Sequence, residues 1–317
     1  MAFTQPALAD ATNTLPRMPP WITSARPETL EDVAFRSGAA LTVLDGLVSD
    51  PGHGVPVKLL ANRLALTAAT ATSKLEGRLA READIRDAYH LTPPGDARGP
   101  DGDLLAFWRG SVRLQPGGTG EFEDLIGANL AAELSGWLDM GQSRARTHGP
   151  LAGCATILRA VLDADDRAER VACLLSDIAL ARGLNWKNVL PVSSQRLTKT
   201  VLRDLALSGE GAELAVQVRI LESIETVIGL ARDLARRAEA LRVVAPKLRA
   251  KGSEAAVDLF LTEDAVAPST MLSPMIKGTA IPMTNRAARR LCDRLVELGV
   301  ARELTGRSTF RLYGIAP

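Results

Sequence analysis

The chain has 317 residues, of which 46% are hydrophobic, and a formal net charge of +1 from 38 basic and 37 acidic residues. The hydrophobic fraction excludes a wholly disordered chain, and the near-zero charge excludes a protein that is basic throughout. Aromatic residues make up only 4% of the chain, whereas Ala, Leu and Arg, which favour helices over strands, are abundant. We therefore expect a mainly α-helical protein of about two domains.

Residues 1–27 are expected to form a flexible lead, because five prolines fix the backbone too often for a helix. Beyond it, apolar residues recur every three or four positions in a series of runs. These runs predict helices from about 28 to the loop at 51–54, and over 56–75, 104–112, 121–140, 150–163, 167–182 and 213–245. A basic linker follows the last run, so we place a helical domain at 28–250 and a second domain at 251–317.

The cysteines, Cys154, Cys173 and Cys292, are widely spaced and form no C-x-x-C pair. Disulfide scaffolds and zinc sites use denser or paired spacings, so buried, reduced thiols are expected, with no metal and no cofactor. The sequence contains no run of roughly 18 uncharged apolar residues and begins without a signal-peptide pattern. We therefore expect a cytoplasmic protein without a membrane span.

The C-terminal segment is basic although the whole chain is nearly neutral. Residues 277–311 hold eight basic and three acidic residues, a net charge of +5, which leaves −4 for the rest. Thr284 can cap a helix that begins at Asn285 and stops before Gly299. The arginines of this helix fall on the face opposite its leucines, so the helix is expected to be amphipathic.

The elements around this helix predict a winged helix-turn-helix. Two helices are predicted before it, over 253–262 and 266–276, and strands over 300–304 and 309–314 after it, joined by a turn. Such a module places its second helix in the major groove of DNA and its wing on phosphates. The candidate DNA contacts are Asn285, Arg286, Arg289, Arg290, Arg307 and Arg311. Two alternatives are that the arginines form a solvated face and that the module docks a protein. If the module binds DNA, a homodimer would fit two DNA half-sites.

Catalytic spacings are absent from the sequence: it has no phosphate-binding loop, no dinucleotide fingerprint, no nucleophile elbow and no H-E-x-x-H. The histidines, His53, His90 and His148, are scattered along the chain. A lone histidine is more often structural than catalytic.

Three stretches of the chain resemble a known family. Residues 245–252, 285–291 and 302–314 are similar to a largely alphaproteobacterial family catalogued as a domain of unknown function, number fourteen hundred and three. The similarity covers the chain from about Trp21 onward. It implies no activity.

A more distant resemblance is to Fic proteins, which often carry a winged helix after their catalytic core. Residues 286–307 are similar to that winged helix, and the run from Thr72 through Glu76 to Gly77 fits the inhibitory motif [ST]-x-x-x-E-[GN]. In Fic proteins the motif glutamate pairs with an arginine of the nucleotide site. The alternative is that Glu76 is an ordinary carboxylate on the surface of a helix.

The catalytic motif implied by this resemblance is degenerate here. The motif H-x-F-x-[DE]-G-N-G-R falls on residues 161–169, where only Asp165 agrees. Val161 replaces the general base and cannot accept a proton, and Glu169 stands where an arginine would bind phosphate. The resemblance thus implies a multi-helical, catalytically inactive Fic-like domain in which Glu76 has lost its inhibitory partner.

The sequence therefore favours a DNA-binding or regulatory factor that does not transfer AMP. Two alternatives stay open. One is an unrecognised nucleotide-dependent enzyme, for which His148, Arg159 and Arg167 are the nearest groups. The other is a scaffold that binds only proteins.

Overall fold

A computed structural model describes residues 15–93, 95–118, 125–248, 251–307 and 309–316. Over these residues the protein is mainly helical and has one small antiparallel sheet, which confirms the predicted fold class at that level. The helices are α1 (Pro20–Thr23), α2 (Leu30–Ser49), α3 (Val57–Leu75), α4 (Glu82–His90), α5 (Gly99–Ser111), α6 (Ala128–Ala131), α7 (Leu134–His148), α8 (Pro150–Ala164), α9 (Glu169–Gly183), α10 (Lys199–Ala206), α11 (Ala212–Val244), α12 (Ser253–Phe260) and α13 (Asn285–Glu297). The strands are β1 (Ala301–Glu303) and β2 (Tyr313–Ile315).

The helices with the clearest apolar periodicity form where they are predicted. The bounds of α3, α8, α9 and α11 lie within two residues of the predictions. Helix α2 begins at a capping box, in which the Thr29 hydroxyl accepts from the Asp32 amide and the Asp32 carboxylate accepts from the Thr29 amide. Such a box satisfies two of the backbone donors that a helix start leaves free.

The longest helix, α11, organises the core of the helical body, by which we mean the helices from α1 to α11. Most of its apolar side is buried, Val216, Ile220 and Leu234 completely, and the helix packs against α2 and α8. Helices α7 and α8 pack closely because two glycines face each other. A Cβ on Gly153 would lie only 2.5 Å from the carbonyl oxygen of Gly141. Only glycine permits this approach.

All three cysteines are buried and form no disulfide, so the predicted buried thiols are confirmed. The predicted lead is described only from residue 15 onward. There, Leu15 is buried and the carbonyl of Pro16 accepts a hydrogen bond from Arg232. The proposed domain boundaries stay predictions.

Several predicted helix bounds are wrong. The run predicted at 121–140 lies partly outside the described residues, and the rest forms two helices, α6 and α7, with α7 continuing to His148. Helix α5 begins at Gly99 instead of 104, because Pro100 fits the first turn of a helix, where no amide hydrogen is needed. The short helices α4 and α10 were not predicted, because 8 or 9 residues carry too little periodicity.

The helix predicted over 266–276 is wrong. This segment contains a single π-helical turn at Pro268–Leu272, and Val266 instead forms an antiparallel bridge with Tyr313. Pro268 and Pro274 each lack an amide hydrogen and bias the residue before them towards extended backbone. The prolines therefore confine the helical conformation to one turn.

The predicted hairpin forms with a longer loop. Ala301 pairs with Ile315 and Glu303 with Tyr313, so the second strand begins at 313 instead of 309. Phe310 has a φ of +56°, which breaks the extended backbone before this strand. Ser308, in the predicted turn, lies outside the described residues.

Candidate nucleic-acid interface

Helix α13 forms as an amphipathic helix, as predicted. The Thr284 hydroxyl accepts a hydrogen bond from the Ala287 amide at 3.3 Å, which caps the helix. Ala288, Leu291 and Leu295 are at most 4% exposed, so the apolar face packs against the rest of the protein. Gly299, with a φ of +72°, follows the last turn. The opposite face, which carries the arginines, is left in solvent.

Three of the candidate DNA contacts lie on this free face. Arg286, Arg289 and Arg290 are exposed, and within the described part of the chain none of them forms an ion pair or a hydrogen bond through its side chain. Asn285, at the first position of α13, is also exposed. The charges near the start of the helix are therefore available to an external anion.

A basic groove of about 640 Å³ runs along one side of α13. Arg286, Arg290 and Arg294 line it because residues four apart share one side of a helix, and Lys247 lies across from them. Arg294 also pairs with Glu297 at 2.9 Å. Sequence reasoning did not include Lys247 or Arg294 in the site, although the spacing of four from Arg286 could have pointed to Arg294.

A second groove, of about 210 Å³, lies between α13 and the hairpin loop. Arg289 lines it from the helix, and Arg311 and Phe310 line it from the loop. Phe310 is 70% exposed, an unusual position for a large aromatic side chain. The structure therefore brings Arg289 and Arg311 together, and adds an aromatic ring that sequence reasoning missed.

Arg307 differs from the other candidates because it faces the helical body. Its Nη2 atom lies 3.5 Å from Oδ2 of Asp87 on α4, although 59% of its side chain is exposed. Beside it, Arg86 donates to the carbonyl of Leu304 at 3.0 Å. Neither groove along α13 is lined by Arg307.

A buried ionic cluster joins the C-terminal segment to the body. Arg109 of α5, 1% exposed, pairs with both Glu263 and Asp264. Lys277 reaches Glu263 at 2.8 Å, and His90 Nε2 lies 3.4 Å from Asp264. Burial by itself would raise the pKa of Asp264, but His90 and Arg109 outweigh it and lower that pKa to about 2. The cluster therefore carries formal charges that hold one another in place.

Further hydrogen bonds fix the end of the chain on the same body. Asn62 donates to the carbonyl of Thr262 at 2.8 Å, Arg63 to Ile315 at 2.9 Å and Arg237 to Ala316 at 2.5 Å. Together with the ionic cluster, these contacts set the orientation of the C-terminal segment. Arg286, Arg289 and Arg290 take no part in these contacts.

The inhibitory-motif-like residues lie at the end of α3. Thr72 is buried and accepts from the indole of Trp108 at 3.0 Å, and Gly77 takes a φ of +78°. Glu76 pairs with Nε of Arg170 at 2.8 Å. Glu169 stands at the aligned arginine position, and the loss of the inhibitory partner there stays a prediction; Glu76 pairs instead with Arg170, one residue beyond the aligned motif.

The degenerate motif falls on the turn between α8 and α9. Val161 is fully buried in α8, and Glu169 is 3% exposed and pairs with Lys199 at 3.2 Å. The Asp165 carboxylate accepts from the Arg167 amide at 2.9 Å. The aligned segment thus has no proton acceptor at 161, and the Asp165 carboxylate already accepts a hydrogen bond from one amide of the turn.

The groups considered for an alternative enzyme do not meet. His148 precedes α8 and Arg167 follows it, and the 15 residues of α8 separate them by roughly 22 Å at 1.5 Å per residue. Arg159 donates to the carbonyl of Leu205. The structure therefore assembles no common site from these three side chains.

In the part of the chain that the structure describes, no helix is both long and apolar enough to cross a membrane. The same residues contain no group of three or more His, Cys, Asp or Glu side chains placed to hold a metal ion.

Residues 6–315 match the model of a family described as "Protein of unknown function (DUF1403)". The comparison with curated proteins gives no match. The resemblance to Fic proteins stays a prediction. Because the family model covers nearly the whole sequence, the chain belongs to this family of proteins of unknown function.

Proposed function

We propose that this protein binds duplex DNA through α13 and that its helical body is not an AMP-transferase. The observation that carries the proposal is the free arginine face of α13. Arg286, Arg289 and Arg290 are exposed and unpartnered among the described residues, while the other face of the helix is buried. Duplex DNA presents a dense row of phosphates, which such a face neutralises.

The order of the surrounding elements supports a winged helix. Helix α12, the bridge at Val266, the turn at Pro268–Leu272, α13 and the strand pair follow one another in the order expected of such a module. Since Val266 bridges β2, a third extended segment flanks the strand pair. In winged helices the helix before the hairpin enters the major groove, which is the position of α13.

The two grooves suggest how the duplex would be held. Arg286, Arg290, Arg294 and Lys247 line one side of α13, and Arg289 and Arg311 line the other. Arginine donates to phosphate oxygens and to guanine edges in the major groove. Asn285, at the first position of α13, is thus proposed to reach bases, and the cations along the two sides of the helix, Arg286 and Arg290 among them, to reach phosphates.

The absence of AMP transfer is supported by residues at the end of α8 and the start of α9. Val161 offers no general base, and Glu169 replaces a cation that would bind phosphate. The body is proposed to position the DNA-binding module instead.

Fluorescence anisotropy with a labelled duplex, measured over a series of salt concentrations, tests DNA binding. We expect the variant Arg286→Ala/Arg290→Ala to bind at least tenfold more weakly. We also expect the slope of log K against log salt to fall by about 2, because each lost phosphate contact lowers it by about 1. The matched control is Arg146→Ala/Arg203→Ala, which removes the same charge from exposed positions on α7 and α10.

The control should bind with the affinity and salt slope of the wild type. Equal losses in both variants would show a non-specific charge effect and would contradict a role for α13. Failure of the wild-type protein to bind any duplex at low salt would refute the proposal.

A further inference from the structure

An exposed pair of aromatic rings lies near the start of the described chain, at α1 and α2. Trp21 is 68% exposed and Phe35 is 64% exposed, and their ring centroids are 6.2 Å apart. The other three tryptophans, Trp108, Trp137 and Trp186, are at most 7% exposed. Trp21 is thus far more exposed to solvent than the other three tryptophans.

The aromatic pair borders a groove of about 470 Å³. Ile22, Ala25 and Pro27 add apolar surface to its lining. A contiguous apolar patch with a polar border is typical of protein interfaces, and aromatic side chains are enriched at their centres. We call the surface formed by Trp21, Phe35 and this lining the aromatic patch.

Of the four charged side chains at the border of the aromatic patch, two have partners within the chain. Asp32 accepts from the amides of Glu28 and Thr29, and Arg36 pairs with Glu225 at 2.5 Å. Two charges are left over. The side chains of Arg26 and Glu28 are exposed and form no contact with other described residues.

This pair of free charges indicates what covers the patch. A nucleic acid or an anionic membrane would require a net positive border, whereas one free cation and one free anion sum to zero. A surface that carries both charges side by side is complementary to itself when a twofold axis relates two copies. In such an interface, a contact between one residue of the first copy and a different residue of the second copy always occurs twice. The second contact has the two copies exchanged.

We infer that the aromatic patch is the interface of a homodimer. Trp21 and Phe35 of the two copies pack together across the twofold axis. Arg26 of each copy lies against Glu28 of the other, which gives two equivalent ion pairs at the border. The inference does not depend on DNA binding, and it is tested without DNA.

Size-exclusion chromatography with light scattering, over a series of protein concentrations, measures the oligomeric state. We expect the wild type to be a dimer and Trp21→Ala/Phe35→Ala to be a monomer with unchanged circular dichroism, because both side chains are exposed. A matched control, Leu207→Ala, removes another exposed apolar side chain, 74% exposed just after the end of α10, and should stay dimeric. A wild type that is monomeric at the highest attainable concentration, or a dimer that survives the double substitution, overturns the inference.

Charge exchange tests the twofold arrangement itself. Arg26→Glu alone and Glu28→Arg alone each place like charges across both contacts, so each should weaken the dimer. An equimolar mixture of the two variants restores opposite charges at both contacts and should form a heterodimer. The double variant Arg26→Glu/Glu28→Arg should also dimerise. If the mixture stays monomeric while the wild type dimerises through the aromatic patch, the twofold pairing is wrong.

Discussion

Asp177 illustrates how a single buried residue fixes a loop. It lies on α9, is fully buried, and accepts hydrogen bonds from the amides of Val192 and Ser193 at 3.0 and 2.9 Å. Its second oxygen, Oδ2, has no partner among the described residues. Burial raises the pKa of Asp177 to about 7, against the lowering effect of the two amides. The carboxyl therefore binds a proton more readily than an exposed aspartate does.

The pH dependence of stability should reveal this group. Because the folded-state pKa of about 7 lies above the ordinary value of 3.8, the folded chain holds an extra proton between these pH values. The contribution of Asp177 to the free energy of unfolding therefore falls as pH rises from about 4 to about 7. Asp177→Asn keeps an oxygen acceptor but cannot ionise, so this fall disappears.

Urea denaturation of wild type and Asp177→Asn at pH 5 and pH 8 measures the effect. Relative to the wild type, we expect the variant to gain about 2 to 3 kcal/mol on going from pH 5 to pH 8. Comparing the two proteins at each pH cancels the other titrating groups. A difference in stability that does not change with pH would show that Asp177 ionises normally.

At the scale of elements, α13 shows how much of a helix the local sequence specifies. Its cap, its apolar face and its end at Gly299 all follow from residues within the helix and its flanks. The segment at 266–276 shows the opposite case. Its apolar residues suggest a helix, but two prolines prevent one, and Val266 pairs with Tyr313 nearly fifty residues away.

The cap of α13 predicts a measurable loss of stability. Thr284→Ala removes the hydroxyl that accepts from the Ala287 amide, and we expect the free energy of unfolding to fall by about 1 kcal/mol. Thr284→Ser keeps the hydroxyl and should cost much less. Denaturant unfolding compares the three proteins. If the alanine and serine variants are equally stable, the cap contributes nothing.

At the scale of the whole molecule, the junction around Arg109 decides how the C-terminal segment is oriented. Arg109 pairs with Glu263 and Asp264 where water is excluded, and their charges outweigh burial to raise the pKa of Arg109. Removing one partner of a buried ion pair leaves an uncompensated charge. The junction is therefore sensitive to single substitutions.

Arg109→Ala should lower the free energy of unfolding by roughly 3 to 5 kcal/mol, because two buried carboxylates lose their cation. The triple variant Arg109→Met/Glu263→Gln/Asp264→Asn removes the charges together and should recover part of this loss. Arg236→Ala, which breaks a pair with Asp233 whose arginine is 51% exposed, is the surface control and should cost less than about 1 kcal/mol. A loss in Arg109→Ala as small as in the control would show that the junction is not held by its charges.

The two proposals fit one arrangement of the whole molecule without depending on each other. A twofold dimer would carry two α13 helices, as dimeric proteins that read two DNA half-sites do. The division of charge, +5 over residues 277–311 and −4 elsewhere, keeps the basic surface on the C-terminal segment.

The sequence by itself determined the features that depend on neighbouring residues. These are the helical class of the fold, the long periodic helices, and the capped amphipathic helix α13 with its arginines on one face. Periodicity and capping act over a few residues, so they can be found without knowing the rest of the fold. Phe310, exposed beside Arg289, carried no such local signal.

Only the tertiary structure decided which distant side chains meet. It paired Glu76 with Arg170, Arg307 with Asp87, and Arg109 with two carboxylates more than 150 residues away along the chain. It also left Trp21 in solvent while burying the other tryptophans. Contacts of this kind depend on how complete helices pack, and the strength of an ion pair depends on the burial that packing creates, so no local pattern encodes them.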